Sequence, residues 1–183
     1  MPKVSPEHLE ARREEILAGA RRAFADHGYE GATVARLEET TGLSRGAIFH
    51  YFPGKKALFV ALAAEVNERY VELMRTRGLA DAIHVLAAES REWLAVLIET
   101  EVRLHHDEDF VRRLQEATEH LREPMLSWFE EQQRLGALRS DVEATDLARF
   151  ASIVVNGVAL RIAGGDETNV DTVVRLLEDA LRP

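Results

Sequence analysis

An all-α protein is what this sequence predicts, and three observations carry the prediction. Apolar residues recur at three- and four-residue spacing along nearly the whole chain. Five prolines and few strictly alternating Val, Ile or Thr runs leave little room for sheet, and Ser, Thr and Gly fall where helices start and stop. With 183 residues, 46% of them hydrophobic, the chain can build a core without staples.

The elements follow in order. Ser5-Pro6-Glu7 opens the first helix, with Ser as cap and Pro where a missing N–H costs nothing; Ile16, Leu17, Ala20 and Phe24 mark its apolar face, and His27-Gly28 ends it. Thr33 caps a short helix from Val34 to Thr41, Gly42 breaks it, and Ser44 caps a second from Arg45 to Tyr51, closed by Phe52-Pro53-Gly54. Helices this short must be held by their neighbours. A long amphipathic helix then runs from Lys55 to about Arg75, through Leu58, Phe59, Leu62, Val66 and Tyr70, to a joint at Thr76 to Leu79 containing Gly78. Further helices are predicted at 80–88, 89–105, 107–135, 143–163 and 168–181, with Pro124 kinking or splitting the third of these. No repeat or low-complexity linker occurs, so the organisation is a head over residues 1–54 and a body over 55–183 that share the long helix.

Absence of cysteine removes disulfides, thiolate nucleophiles, Cys-type zinc sites and iron–sulfur clusters, and makes the cytoplasm the natural compartment. The longest charge-free stretch, Phe150 to Leu160, spans 11 residues and includes Ser152 and Asn156, too short and too polar for a membrane span. Met1 to Leu9 carries Lys3, Glu7 and His8 with no apolar run behind them and does not read as a secretion signal. No phosphate-cradling glycine loop, H-E-x-x-H motif or nucleophile elbow is present, so no enzyme is expected and no cofactor is required.

Two short helices around a Gly42-Leu43 turn have the size and spacing of a helix-turn-helix, whose second helix must fit a major groove about 12 Å wide. Gly46 and Ala47 would let its first turn approach double-stranded DNA closely, while Ile48 and Phe52 face inward toward Phe24, Val34 and Leu37. Arg45, His50, Tyr51, Lys55 and Lys56 are donors suited to phosphates or bases, and Thr33 adds a hydroxyl at a helix start. The net charge of -9 argues against nucleic acid only as a total: residues 1–56 hold nine Lys and Arg against eight Asp and Glu, a balance of +1, so the remainder carries -10. The same pattern also suits a plain helical pair, with Tyr51 a core aromatic and Lys55 and Lys56 a solvated first turn.

From Ile16 to Leu58 the chain resembles the N-terminal DNA-binding domain of the TetR family of transcriptional regulators. The resemblance rests on Phe24, Gly28, Tyr29, Ala32, Thr33 and Val34 at the entry, Gly42, Ser44 and Gly46 at the turn, and Tyr51, Phe52, Lys55 and Leu58 at the exit. It implies phosphate contacts by Thr33, Tyr51 and Lys55, and a base-facing set of Ser44, Arg45, Gly46, Ala47 and His50. Within the family, GARR, HGYEGATV, RLEE and SRGAIFH are most similar to repressors of aconitase genes, which makes a tricarboxylate such as citrate, with a divalent cation, the first effector to consider. The rival reading is a helical ligand-binding or interaction dimer whose head does not bind DNA.

The family is dimeric, and two C-terminal helices offer the means. Phe150, Ile153, Val154, Gly157 and Val158 on one, and Val173, Val174 and Leu177 on the other, would form a four-helix interface with a second copy, or else an intrachain core. For an effector pocket the candidates are Trp93, Glu99, Arg103, Arg139 and Asn156, with the two arginines as carboxylate donors and Glu99 as a metal ligand. Against these stand a surface Glu99–Arg103 pair at four-residue spacing, a satisfied interface amide at Asn156, and a solvated junction at His105 to Asp109 in place of a metal site.

Overall fold

The computed structural model describes residues 5–183; Met1 to Val4, the start of the stretch weighed as a secretion signal, lie outside the described residues. The chain is helical throughout, in the order α1 (Pro6–Gly31), α2 (Val34–Thr41), α3 (Arg45–Tyr51), α4 (Lys55–Arg77), α5 (Leu79–Ala87), α6 (Arg91–Leu104), α7 (Glu108–Thr118), a 3-10 turn (Glu119–Leu121), α8 (Arg122–Arg134), α9 (Ala144–Ala163) and α10 (Val170–Leu181). No strand occurs among the described residues.

Helix starts carry the predicted chemistry. Ser5, Thr33 and Ser44 each accept a hydrogen bond from the backbone N–H three residues on, and Ser90, Asp107 and Asn169 do the same for α6, α7 and α10. Gly42 ends α2 at φ 70°, a left-handed conformation that favours glycine. Gly28, at φ 69°, breaks the helical path of α1 before a last turn to Gly31.

The predicted helix over 107–135 is two helices separated by a 3-10 turn. Pro124 has no N–H, and its ring collides with the carbonyl four residues earlier if the helix runs straight. That carbonyl belongs to His120, inside the Glu119–Leu121 break, and Pro124 itself sits in the tolerant first turn of α8.

Two cores form. The first gathers Ile16, Phe24, Leu37 and Ile48 from α1, α2 and α3 with Leu58 and Phe59 of α4, Trp93 of α6 and Phe110 of α7. It therefore crosses the 54/55 division of the sequence reading. Phe59 is its hinge point, edge-on to Phe24 at 5.5 Å and Tyr29 at 5.4 Å, and packed against Trp93 and Phe110 at 6.4 and 6.3 Å between ring centres. The second core joins Met74, Ile83, Phe129, Leu147 and Leu177 of α4, α5, α8, α9 and α10.

Candidate nucleic-acid interface and interior cavity

The head packs α2 across α1 at very short range. A Cβ at Gly19 would stand 2.5 Å from Thr41 Cγ2 and 2.9 Å from Thr41 Cα, so only glycine allows this approach. Thr41 is buried and locked there: its hydroxyl donates to Leu37 O at 2.6 Å and accepts from Leu43 N at 3.2 Å. Glu38 Oε1 accepts from Arg45 N at 2.7 Å, placing a carboxylate on the first turn of α3 and fixing that helix to α2.

On this scaffold α3 is two-sided. Ile48 and the following Phe52 are buried, as the sequence predicts, while Ser44, Arg45, Gly46 and His50 are exposed and Ala47 and Tyr51 half-buried. No atom lies within 4 Å of a Cβ built on Gly46, so its smoothness faces open space and serves no packing. Beside α3 a depression is lined by Thr33, Arg45, Phe49 and Lys55, bringing the start of α2 and the start of α4 to one surface.

Lys55 has a second occupation. Its ammonium donates to Tyr29 O at 2.8 Å, lies 3.4 Å from Glu30 Oε2, and sits 4.5 Å from the centre of the Tyr29 ring. Lys56, grouped with the DNA donors in the sequence reading, turns away: it donates to Asp107 Oδ2 at 2.6 Å and Asp109 Oδ2 at 3.4 Å, tying α4 to α7. The bond to Asp107 raises the lysine and lowers that acid from their ordinary values, whereas Asp109 is lowered first by its hydrogen bond from Arg113. Asp107 is thus both the cap of α7 and the latch that holds it to α4.

The body encloses a cavity of about 370 Å³ between α4, α6, α8 and α9. Of the five predicted effector residues, only Asn156 lines it. Trp93 is 1% exposed in the first core, under the Arg21 guanidinium at 5.0 Å. Glu99 and Arg103 pair with each other at 3.3 Å on the surface, and Arg103 also reaches Glu30 at 3.2 Å. Arg139 pairs with Asp141 at 2.6 Å and donates to Ala180 O, holding the loop before α9 to the end of α10. The cause is one of phase: α6 turns Leu94, Leu97, Ile98 and Glu101 toward the cavity, so residues one or two positions away point to the first core or to solvent. Asn67, Tyr70, Glu101 and Gln115 are among the polar lining residues that sequence reasoning missed; for Glu101 the three- and four-residue spacing of 94, 97, 98 and 101 was the available signal. Burial pushes the Tyr70 phenol up and keeps it neutral, and partial desolvation on the cavity side raises the Glu101 carboxyl although the residue as a whole is exposed. No group of three or more metal-ligating side chains occurs among the described residues, and Glu99 has an arginine, not further ligands, beside it.

The predicted dimer residues divide. Val158, Val174 and Leu177 are 3–5% exposed and belong to the interior of one chain, because α10 lies on α5 and α9 with its 174, 177 and 181 face inward. Val154 and Val173 are half-buried. Phe150, Ile153 and Gly157 are exposed, and Leu160 and Leu176, 55% and 61% exposed, extend that apolar face.

A helix-turn-helix head with a smooth, polar reading face, joined by a continuous helix to a hollow helical body, defines a DNA-binding regulator. The chain belongs to the TetR family: residues 16–62 match the bacterial regulatory proteins of the tetR family, and residues 73–182 match the C-terminal domain of BetI-type transcriptional repressors. It is 43% identical to the HTH-type transcriptional repressor AcnR of Corynebacterium diphtheriae, across 100% of this chain and 97% of that one. An HTH-type transcriptional repressor of Mycobacterium tuberculosis is 41% identical across 100% and 99%. Among solved structures, Salmonella enterica GusR superposes with a TM-score of 0.75 at 21% identity, covering 98% of this chain and 99% of that one. The fatty acid degradation regulator FadR of Bacillus halodurans gives 0.72 at 18%, covering 97% and 95%, and both likenesses speak to the fold. No described helix is long and apolar enough to cross a membrane.

Proposed function

We propose that this protein is a cytoplasmic, homodimeric transcriptional repressor and not an enzyme, whose α3 reads an operator in the major groove and whose body binds a small-molecule effector that lowers operator affinity. The observation that carries this reading is the exposed row Ser44, Arg45, Gly46 and His50 over the buried Ile48, with open space above Gly46. Base contacts come from Ser44, Arg45, Gly46, Ala47 and His50, and phosphate contacts from Thr33, Tyr51 and Lys55. Repressors among its relatives support the sign of the regulation. An aconitase gene is the target the sequence resemblance suggests.

The exposed Phe150, Ile153, Leu160 and Leu176 supply the dimer face, which spaces two copies of α3 for successive major grooves. The effector acts by preferring a state in which that spacing is lost. Both α4 and α6 line the cavity, and α6 also packs on α1, so a shift of either helix reaches the head. Mobility shifts with the promoter of the protein's own gene, its neighbours and an aconitase gene are the test. A specific, salt-sensitive shift is expected with one of them. No specific shift at low or moderate salt refutes the reading and leaves the non-DNA-binding dimer.

A further inference from the structure

The body cavity is a largely apolar sleeve reached by two carboxylates and one arginine. Its walls are Val66, Leu97, Ile98, Met125, Phe129 and Val155, and its size falls in the range of ligand-sized pockets, about 300–1,000 Å³. Three formally charged side chains reach it: Glu101 from α6, Glu119 from the 3-10 turn and Arg122 from α8. Arg122, the cation of the set, is largely exposed and faces Glu119 at 3.9 Å one turn away on its own segment. Glu101 has no ion-pair partner among the described residues. Asn67 donates its amide N–H to Ala63 O at 2.8 Å, which leaves its side-chain oxygen as a further acceptor toward the cavity.

We infer that the cavity takes an amphipathic molecule with an apolar body and a single cationic amine head, the amine docking on the Glu101 carboxylate. The inference rests on the effector reading above and names the ligand class for it. An ammonium group supplies the counter-charge that the exposed Glu101 carboxylate lacks within the described residues, and the chain of the ligand replaces water along the aliphatic walls. A tricarboxylate finds the opposite of its needs here: two acids and a single, largely exposed arginine that already faces Glu119 at 3.9 Å.

Calorimetric titration of the full chain with octylammonium, octanol and octanoate holds the apolar tail constant and varies only the head. Octylammonium should bind at least about tenfold more tightly than octanol, equivalent to about 1.4 kcal/mol, with octanoate weakest. In Glu101→Gln the ammonium and the alcohol should bind alike. Ile98→Trp, which narrows the sleeve, should weaken both and so place the binding in this cavity. Tighter binding of octanoate, or of citrate with magnesium, than of octylammonium overturns the inference. So does an ammonium preference that survives Glu101→Gln, an affinity unaffected by Ile98→Trp, or the absence of binding by every probe. Operator shifts of the ligand-free chain are read separately, so failure to bind DNA alongside intact octylammonium binding refutes the repressor reading alone.

Discussion

Adding one methyl group at Gly19 should damage both stability and DNA binding. The new Cβ would stand 2.5 Å from Thr41 Cγ2, 2.9 Å from Thr41 Cα and 3.1 Å from Thr40 O, where ordinary carbon contacts are about 3.5–4.0 Å. A side-chain rotation could relieve the first contact, but the other two are backbone, and Thr41 is held by its bonds to Leu37 and Leu43. The helix α2 must therefore move by about 1 Å. Overpacking of this kind costs about 1–3 kcal/mol, and replacing glycine by alanine inside α1 returns about 1 kcal/mol of helix propensity. The net expectation for Gly19→Ala is a loss of up to about 2 kcal/mol, read from urea unfolding. Because α3 is fixed to α2 through Gly42 and the Glu38 bond to Arg45 N, operator affinity should fall in the same variant. A variant as stable as the parent with unchanged operator affinity would refute the claimed closeness of α1 and α2.

Gly46→Ala is the converse case. With nothing within 4 Å, stability should be unchanged or raised by up to about 1 kcal/mol, whereas operator binding should weaken by about 1–3 kcal/mol, the scale of a lost base contact; unaltered mobility shifts would move α3 off the DNA. For Glu101, apolar surroundings raise the carboxyl, so native stability is favoured below the ordinary carboxylate range and lost as pH rises through the raised value. Glu101→Gln should accordingly melt slightly higher than the parent at neutral pH and match it in acid, the gain being small because Glu101 is exposed. His84 is raised by its bond to Asp171 at 2.8 Å, then by Ala80 O, so it contributes stability below the ordinary imidazole value of about 6.5 and loses it as pH climbs through the raised one. Asp171→Asn should flatten that part of the melting-temperature profile, and both groups are exposed, so the effect is small.

The head was legible because its determinants are local. Ser44 caps the next turn, Gly42 takes a left-handed φ that its own backbone demands, and Ile48 and Phe52 fall on one side of a short helix whatever it packs against. Pro124 was legible in kind, and its effect appears at His120 because the clash is with the carbonyl four residues earlier. The effector residues were not legible in the same way. Trp93, Glu99, Arg103 and Glu101 lie on one helix within a few residues, and which of them faces a cavity depends on what stands beside α6.

By itself, the sequence determined the helical class, the helix-turn-helix with its caps and turn, and an acidic body behind a near-neutral reading head, since each follows from spacing along the chain or from a simple count. The tertiary structure decided the rest. It turned Lys56 from DNA to Asp107, took Val158, Val174 and Leu177 from the dimer face into one chain's interior, and put Glu101 in the cavity in place of Glu99 and Arg103. A helix specifies which residues share a face; only the helices packed around it decide whether that face meets a core, a cavity or water.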